Sequence, residues 1–292
     1  MKKSFTFLSS FLLRILAFLF MLIDHVGYLM QMYYSSHQIL EVAEIFRLIG
    51  RFALPLFIFL IVEGFFHSKN LKKYFYRLGI MALIISLGKM FAIYVLKMEL
   101  SEGNIFIDLT LCLLMLIALE NKKIYIKLLA ILPVAYSVLC GVSYCLEFSN
   151  IKVLFLPDYI RMQYYWYSIL LALGFYLAKK LTRIMFLNFY PNLKNEKDLS
   201  KYDKNYQIYE NLISITFLVI VNIIHYLIYK NIPQRYAFVD YEIQLYAMVS
   251  GAFILLYNGK VGYNSKVMRI INYLFYPAHL LLLYGIFILL NL

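Results

Sequence analysis

Apolar runs follow one another along almost the whole chain, and short polar segments separate them. An α-helix crosses the hydrocarbon core of a bilayer with about 20 residues, within a range of about 17 to 25. Runs of this length predict an all-α fold, a polytopic integral membrane helical bundle with about nine transmembrane helices. The spans are expected near residues 8–31, 46–66, 74–96, 103–119, 124–146, 159–178, 209–229, 236–257 and 268–290.

The composition excludes a soluble globular protein. Hydrophobic residues make up 63% of the 292 residues and charged residues only 15%, against about 25% charged residues in ordinary soluble domains. Nine spans use nearly all of the chain, so we expect residues 1–292 to form a single transmembrane domain. The one long connection, from about 179 to 206, is basic and polar and is predicted to be a cytoplasmic loop.

The net charge of +12 would indicate nucleic-acid binding in a soluble protein. Here most lysines and arginines lie in alternate connections between the predicted spans, which is the pattern of the positive-inside rule. This pattern predicts a cytoplasmic N-terminus, with the lipid bilayer rather than nucleic acid as the partner. The three cysteines lack metal-ligand spacing, so no metal is expected.

Ionisable side chains inside the predicted spans are candidates for function. Each costs about 2.5–3.5 kcal/mol to place at the bilayer centre on insertion scales, and such residues usually face the bundle interior or a water-filled cavity. In chain order they are Arg14, Asp24, His25, Arg47, Arg51, Glu63, His67 and His279.

Helical geometry groups some of these residues. Arg14 and His25 are eleven residues apart, which is nearly three whole turns, so they share a face about 16 Å apart along the axis. Asp24 points elsewhere and is expected to pair with Arg51 or Arg47, which leaves His25 as a neutral imidazole. A structural alternative is that these charges only hold helices together. The second span is expected to be kinked or loosened at Pro55.

Two further patterns lie near the C-terminal end. Asn272, Tyr276 and His279 recur at helical spacing beside Pro277 and predict one polar face on the last helix. The segment Tyr257, Asn258, Gly259 and Lys260 is predicted to be a turn, because Asn-Gly readily adopts positive φ.

Several short motifs follow one another along the chain. They comprise Arg14; Met21 to Gly27, with Asp24-His25; Arg47 to Arg51; Pro55 to Phe57; Glu63 to Phe65 with His67; Lys73-Tyr74 with Arg77-Leu78; Leu256 to Lys260 with Gly262; and Tyr276-Pro277-Ala278-His279-Leu280. In their order and spacing these motifs resemble the TraX family of membrane proteins. The middle of the chain, from about 96 to 177, matches this pattern poorly.

The resemblance implies a membrane acetyltransferase that uses acetyl-CoA as its donor substrate. Its location would be the bacterial inner membrane, as a multi-pass protein. The acceptor would be an amine or hydroxyl: a protein N-terminus, such as that of a conjugative pilin, or an envelope glycan or lipid.

Such a reaction gives the candidate residues distinct roles. A base must deprotonate the acceptor and a positive group must stabilise the oxyanion. His25 is the expected base, with His279 as its rival. Arg47 or Arg51, held in register by Asp24, is the expected partner of the oxyanion or of a carboxylate. The coenzyme A phosphates are expected at Arg14, Lys72, Lys73 and Lys260.

Two other functions remain open from the sequence. In a transporter or lipid flippase the same buried charges would line a translocation or proton pathway. In a non-catalytic pilus or envelope assembly factor they would serve helix packing alone. The second alternative predicts that substitution of His25 is tolerated.

Overall fold

The computed structural model describes residues 5–98, 103–148, 156–193, 199, 205–231 and 241–290. Within these residues the fold is helical, and the β-structure is confined to one isolated bridge between Leu8 and Tyr257. The helices are α1 (Ser10–Tyr33), α2 (His37–Gly50), α3 (Ala53–His67), α4 (Leu71–Tyr94), α5 (Ile105–Leu119), α6 (Ile124–Leu128), α7 (Ile131–Phe148), α8 (Tyr165–Phe189), α9 (Tyr206–Tyr229), α10 (Tyr241–Leu245), α11 (Ser250–Leu255) and α12 (Lys266–Leu290).

Among the described residues, six helical segments are long and apolar enough to cross a membrane, which makes the chain a multi-pass membrane protein. Two shorter apolar helical segments, Ile105–Leu119 and Glu242–Leu255, fall on further predicted spans. The count of nine spans and the cytoplasmic N-terminus stay predictions. The six segments are Ser10–Tyr33, His37–His67, Leu71–Tyr94, Ile124–Glu147, Tyr206–Tyr229 and Lys266–Leu290.

The predicted second span, 46–66, differs in form from the observed one. Its helical segment begins earlier, at His37, and is interrupted at Arg51 and Phe52 between α2 and α3. Pro55 falls in the first turn of α3 and has no backbone N–H to donate to the Arg51 carbonyl oxygen, so the loosening predicted at Pro55 takes the form of this break. The break places Arg51 at the end of α2.

The predicted loop 179–206 is also shorter than expected. Helix α8 begins later than the predicted sixth span, at Tyr165, and continues through Lys179 to Phe189. Its extension is amphipathic, since Ala178, Thr182 and Phe186 are buried at intervals of four residues. The charged residues of this segment therefore belong to a helix face. Residues 194–198 and 200–204 lie outside the described residues, as does 236–240 of the predicted eighth span.

The described residues group into two compact units. The first takes its residues from 1–60, 177–226 and 241–292, and the second from 61–176 and 227–240. The single-domain assignment stays a prediction.

Within the first unit, glycines let α1 and α2 approach closely. A Cβ atom on Gly27 would lie 2.8 Å from the Ala43 carbonyl oxygen of α2, and a Cβ atom on Gly50 would overlap the Asp24 carboxylate. Small residues at a membrane helix interface permit this approach. The α1–α2 contact therefore brings the side chain of Asp24 against the last turn of α2.

Helix α12 packs along α1 in parallel. The rings of Phe18 and Phe275 stack 4.5 Å apart, and further along both helices Leu29 packs with Leu283 and Phe287. We call this contact the α1–α12 seam; its residues are Phe18, His25 and Leu29 on α1 and Phe275, His279, Leu283 and Phe287 on α12.

The segment before α1 is fixed to the loop after α11. The Asn258 amide donates to the Leu8 carbonyl oxygen at 2.9 Å, and the Ser10 amide donates to the Lys260 carbonyl oxygen at 2.8 Å. The hydroxyls of Ser10 and Tyr257 are 2.9 Å apart. Gly259 has φ of 72°, which confirms the predicted turn and explains the glycine. The Tyr257 to Lys260 motif thus joins distant parts of the sequence.

We expect Tyr257→Phe to lower the free energy of unfolding by about 1 kcal/mol, because it removes a buried hydroxyl–hydroxyl hydrogen bond to Ser10. Thermal unfolding of the purified protein in detergent measures the change. Tyr263→Phe is the matched control, since Tyr263 is exposed and should leave the melting temperature unchanged. Equal melting temperatures for both variants and the wild type would contradict the structural role of Tyr257.

Candidate functional site

A buried ion-pair cluster joins α1 to the end of α2. The Asp24 carboxylate accepts a hydrogen bond from Arg47 Nη1 at 2.7 Å and another from Arg51 Nη2. The Arg51 guanidinium is further held by donation from its Nε to the Arg47 carbonyl oxygen at 3.1 Å. The predicted pairing of Asp24 is confirmed, and it involves both arginines at once.

The cluster carries more positive than negative charge. Two guanidinium groups share one carboxylate, and the side chain of Arg51 is only 4% exposed while that of Arg47 is 18% exposed. The Arg47 guanidinium also lies over the Tyr28 ring, 5.5 Å from its centre, a cation–π contact. The excess positive charge suits a group that develops negative charge next to it.

His25 and His279 meet across the α1–α12 seam. The distance from His25 Nδ1 to His279 Nε2 is 3.1 Å, and the two rings are 4.9 Å apart. Both residues are buried, with exposures of 9% and 5%. The sequence offered these histidines as rival bases, and the structure brings them into direct contact.

Contacts with two backbone carbonyl oxygens indicate which ring nitrogen of each histidine carries a hydrogen. His25 Nδ1 is 2.9 Å from the Met21 carbonyl oxygen, and His279 Nδ1 is 2.7 Å from the Phe275 carbonyl oxygen. A carbonyl oxygen only accepts, so each Nδ1 carries a hydrogen in the neutral rings. His279 Nε2 then accepts from His25 Nδ1, and the lone pair of neutral His25 is on Nε2.

Aromatic side chains surround the histidine pair. The ring of Phe275 stacks on His279 with their centres 5.1 Å apart. Tyr276 presents its ring edge-on to both histidines, with centres 6.1 Å from His25 and 5.5 Å from His279. Pro277 lies within α12, which is continuous from Lys266 to Leu290. This packing fixes the ring orientations.

The histidine pair and the ion-pair cluster are adjacent on α1, because Asp24 and His25 are consecutive. One residue directs its side chain to α2 and the next to α12. The arrangement supplies a neutral imidazole that accepts a proton on Nε2, a second imidazole that orients it, and a guanidinium pair. These are the elements of general base and oxyanion chemistry.

The other predicted site residues fall in different places. Arg14 is half-buried on α1, and Lys260 is exposed in the loop after α11. The second unit contains Lys72 and Lys73, exposed at the start of α4, and also Glu63 and His67. His67 Nδ1 lies 2.9 Å from the Glu63 carbonyl oxygen, as expected for a residue that ends a helix.

Sequence reasoning missed a buried polar cluster in the second unit. The Asp108 carboxylate accepts from the amides of Gln163 and Tyr164 and from the Ser168 hydroxyl, at 2.6, 3.0 and 2.8 Å. It thus caps the start of α8. Arg161, which is 2% exposed, pairs with Glu147 and Asp158. The signal was an aspartate inside an apolar run, the same signal that identified Asp24.

A metal centre has no support among the described residues, where no three His, Cys, Asp or Glu side chains form a group able to hold an ion. The absence of a metal in general stays a prediction. The chemistry available in this site is that of imidazole, guanidinium and carboxylate groups.

The fold and the site define a class: a multi-pass α-helical membrane protein with a buried histidine pair beside an arginine–aspartate cluster. A family model described as "TraX protein" matches residues 9–193, and the chain belongs to the TraX family. The match contains Asp24, His25, Arg47 and Arg51 and ends before His279. The resemblance seen in the sequence motifs is thereby confirmed.

One curated relative is similar to part of the chain. It is the "Probable fimbrial assembly protein FimC, serogroup H1" of Dichelobacter nodosus, 31% identical over 139 residues. The match covers 45% of this chain and 55% of that protein, so the chain spans about half the length of this relative. No solved structure matches the chain.

Proposed function

We propose that the protein is a membrane acetyltransferase of the TraX family that moves an acetyl group from cytoplasmic acetyl-CoA to an amine or hydroxyl at the membrane. The observation that carries the proposal is the hydrogen bond between His25 and His279, which orients a proton-accepting imidazole beside a positively charged cluster. The FimC relative is named as a probable fimbrial assembly protein, which favours a pilus-related acceptor, such as a pilin N-terminus.

The proposed reaction proceeds by direct attack. The acceptor nitrogen or oxygen bonds to the thioester carbonyl carbon, and its proton passes to Nε2 of His25. The negative charge of the tetrahedral intermediate develops next to the guanidinium groups of Arg47 and Arg51. The carbon–sulfur bond then breaks, and the coenzyme A thiolate takes the proton back from the His25 imidazolium.

His279 is a positioning residue in this scheme. When His25 takes up a proton, its Nδ1–H bond donates more strongly to His279 Nε2 and to the Met21 carbonyl oxygen, because hydrogen bonds from ionised donors are the stronger ones. These hydrogen bonds stabilise the buried imidazolium. Asp24 holds the two arginines in place rather than contacting the reacting atoms.

The donor half of the proposal is tested by acetyl-CoA binding. We expect acetyl-CoA to raise the melting temperature of the purified protein in detergent, because a ligand that binds the folded state stabilises it by mass action. Arg14→Ala should reduce this shift by removing a phosphate contact, whereas His25→Ala should keep it. No shift at millimolar acetyl-CoA in the wild type would refute the donor assignment.

A second candidate is a non-catalytic assembly factor for a fimbria or pilus. The name of the FimC relative is the observation in its favour. This function requires neither acetyl-CoA binding nor a functional His25, so acetyl-CoA binding by the wild type and the activity of His25→Ala distinguish it from the acetyltransferase. Pilus assembly that persists in His25→Ala cells would favour this candidate.

A further inference from the structure

Asn272 is a half-buried polar residue that has no role in the proposed reaction. It lies on α12 one turn before Tyr276 and two turns before His279, on the stripe that continues through Leu283 and Phe287. Its side-chain oxygen is buried and accepts no hydrogen bond from any described residue. A side-chain amide whose oxygen accepts no hydrogen bond contributes less to helix packing than an apolar side chain would.

The free-energy cost of burying this oxygen without a hydrogen-bond donor suggests a role in ligand binding. A buried acceptor without a donor loses its hydration and gains nothing in return, whereas an apolar side chain of similar shape carries no such penalty. By contrast, Asn222 on α9, which is 1% exposed, donates from its amide to the Leu218 carbonyl oxygen at 2.8 Å. The side-chain oxygen of Asn272 is therefore suited to accept a hydrogen bond from a bound molecule.

The α1–α12 seam fixes the level of Asn272 in the bundle. Phe275 stacks on Phe18 and His279 meets His25, so Asn272, three residues before Phe275, lies beyond Phe18 in the direction of Arg14. Along α12 it is about 10 Å from His279, at about 1.5 Å per residue. Asn272 therefore lies between the level of Arg14 and the level of the histidine pair.

We infer that Asn272 binds the pantetheine arm of the acyl donor by accepting a hydrogen bond from one of its amide N–H groups. This inference rests on the proposed function and adds a donor-binding residue to it. A thioester carbonyl at His25 and phosphates at Arg14 place the two amides of the arm in the interval where Asn272 lies. The amide N–H groups of the arm are hydrogen-bond donors, and the carboxamide oxygen of Asn272 is an acceptor for them.

Binding measurements on the full-length protein in detergent test the inference. Two probes separate the arm from the headgroup: acetyl-CoA, which has the pantetheine arm, and adenosine 3′,5′-bisphosphate, which has phosphates and adenosine but no arm. In Asn272→Leu we expect the Kd for acetyl-CoA to rise roughly 3- to 10-fold, the effect of one neutral hydrogen bond. The Kd for the bisphosphate should not change.

Thermal stability without ligand provides a second measurement. Asn272→Leu should keep or raise the melting temperature, because it replaces an unsatisfied buried oxygen with an apolar group. The matched control, Asn222→Leu, should lower the melting temperature and leave both Kd values unchanged. A lowered melting temperature for Asn272→Leu, together with equal weakening of both probes, would show a structural role and overturn the inference.

The remaining outcomes separate the inference from the proposed function. Unchanged acetyl-CoA binding in Asn272→Leu, with normal binding by the wild type, overturns the inference alone. Failure of the wild type to bind acetyl-CoA overturns the donor assignment and the inference together. A Kd rise for acetyl-CoA alone supports both.

Discussion

Replacement of His25 by alanine is expected to reduce acetyl transfer about 10²- to 10⁴-fold, the usual contribution of a general base. The reason is that, in the proposed reaction, Nε2 of His25 accepts the proton, and the contacts of Nδ1 with Met21 and His279 orient the ring. The measurement is the release of coenzyme A thiol from acetyl-CoA by purified protein in detergent, with peptide amines and sugar hydroxyls as acceptors.

Two further variants make this result interpretable. His37→Ala is the matched control, because His37 is an exposed histidine at the start of α2 and its loss should leave transfer unchanged. His279→Ala should lower kcat with little change in the KM for acetyl-CoA, since it removes the partner that orients His25. Full transfer activity in His25→Ala would exclude His25 as the base.

Loss of Asp24 is expected to have the largest effect on stability. Asp24→Ala removes the carboxylate that pairs with the buried Arg51 and the partly buried Arg47, and breaking a buried ion pair in this way costs about 3–5 kcal/mol. We expect a strongly reduced yield of folded protein and a lower melting temperature in detergent. Membrane-fraction yield and thermal unfolding measure both.

A combined variant separates folding from function. Asp24→Leu, Arg47→Met and Arg51→Met together replace the whole cluster by apolar groups, which is often neutral or stabilising for a buried ion pair. We expect it to recover most of the stability lost in Asp24→Ala and to lack acetyl transfer. Stability that stays as low as in Asp24→Ala would contradict the assignment of that loss to uncompensated charge.

The ion-pair cluster was predictable because charge inside an apolar run is a strong signal. A lone carboxylate or guanidinium in a span is costly, so Asp24 required a partner of opposite charge nearby in sequence. Two arginines in the next apolar segment met that requirement. The sequence did not specify that both would bind one carboxylate, since the choice depends on the helix crossing that Gly27 and Gly50 permit.

The histidine pair was not predictable. A neutral imidazole carries no charge that demands a particular partner, and His25 and His279 are 254 positions apart. Helical periodicity placed each histidine on an inward face of its own helix, but it does not specify which residue of another helix lies opposite. Only the packing of α12 along α1 brings the two candidate bases into direct contact.

Helix α8 shows why charged segments in membrane proteins are hard to assign. Lys179 looked like the start of a basic loop, yet its Nζ donates to the Glu210 carboxylate of α9 at 2.5 Å. This ion pair compensates both charges. It lies on a helix whose buried positions recur every four residues. The i, i+4 spacing of Ala178, Thr182 and Phe186 indicated a helix. The lysines and the arginine between them indicated a loop instead.

The contact between Leu8 and Tyr257 has a consequence for synthesis in the cell. Residues 5–11 cannot form their bridge, nor Ser10 its bond to Tyr257, until the ribosome has made nearly the whole chain. Asp24, by contrast, meets Arg47 and Arg51 within one hairpin, so its charge is neutralised early during membrane insertion. The salt bridges of the first helix can therefore form once the second helix has been synthesised, while His25 meets His279 only when the last helix arrives.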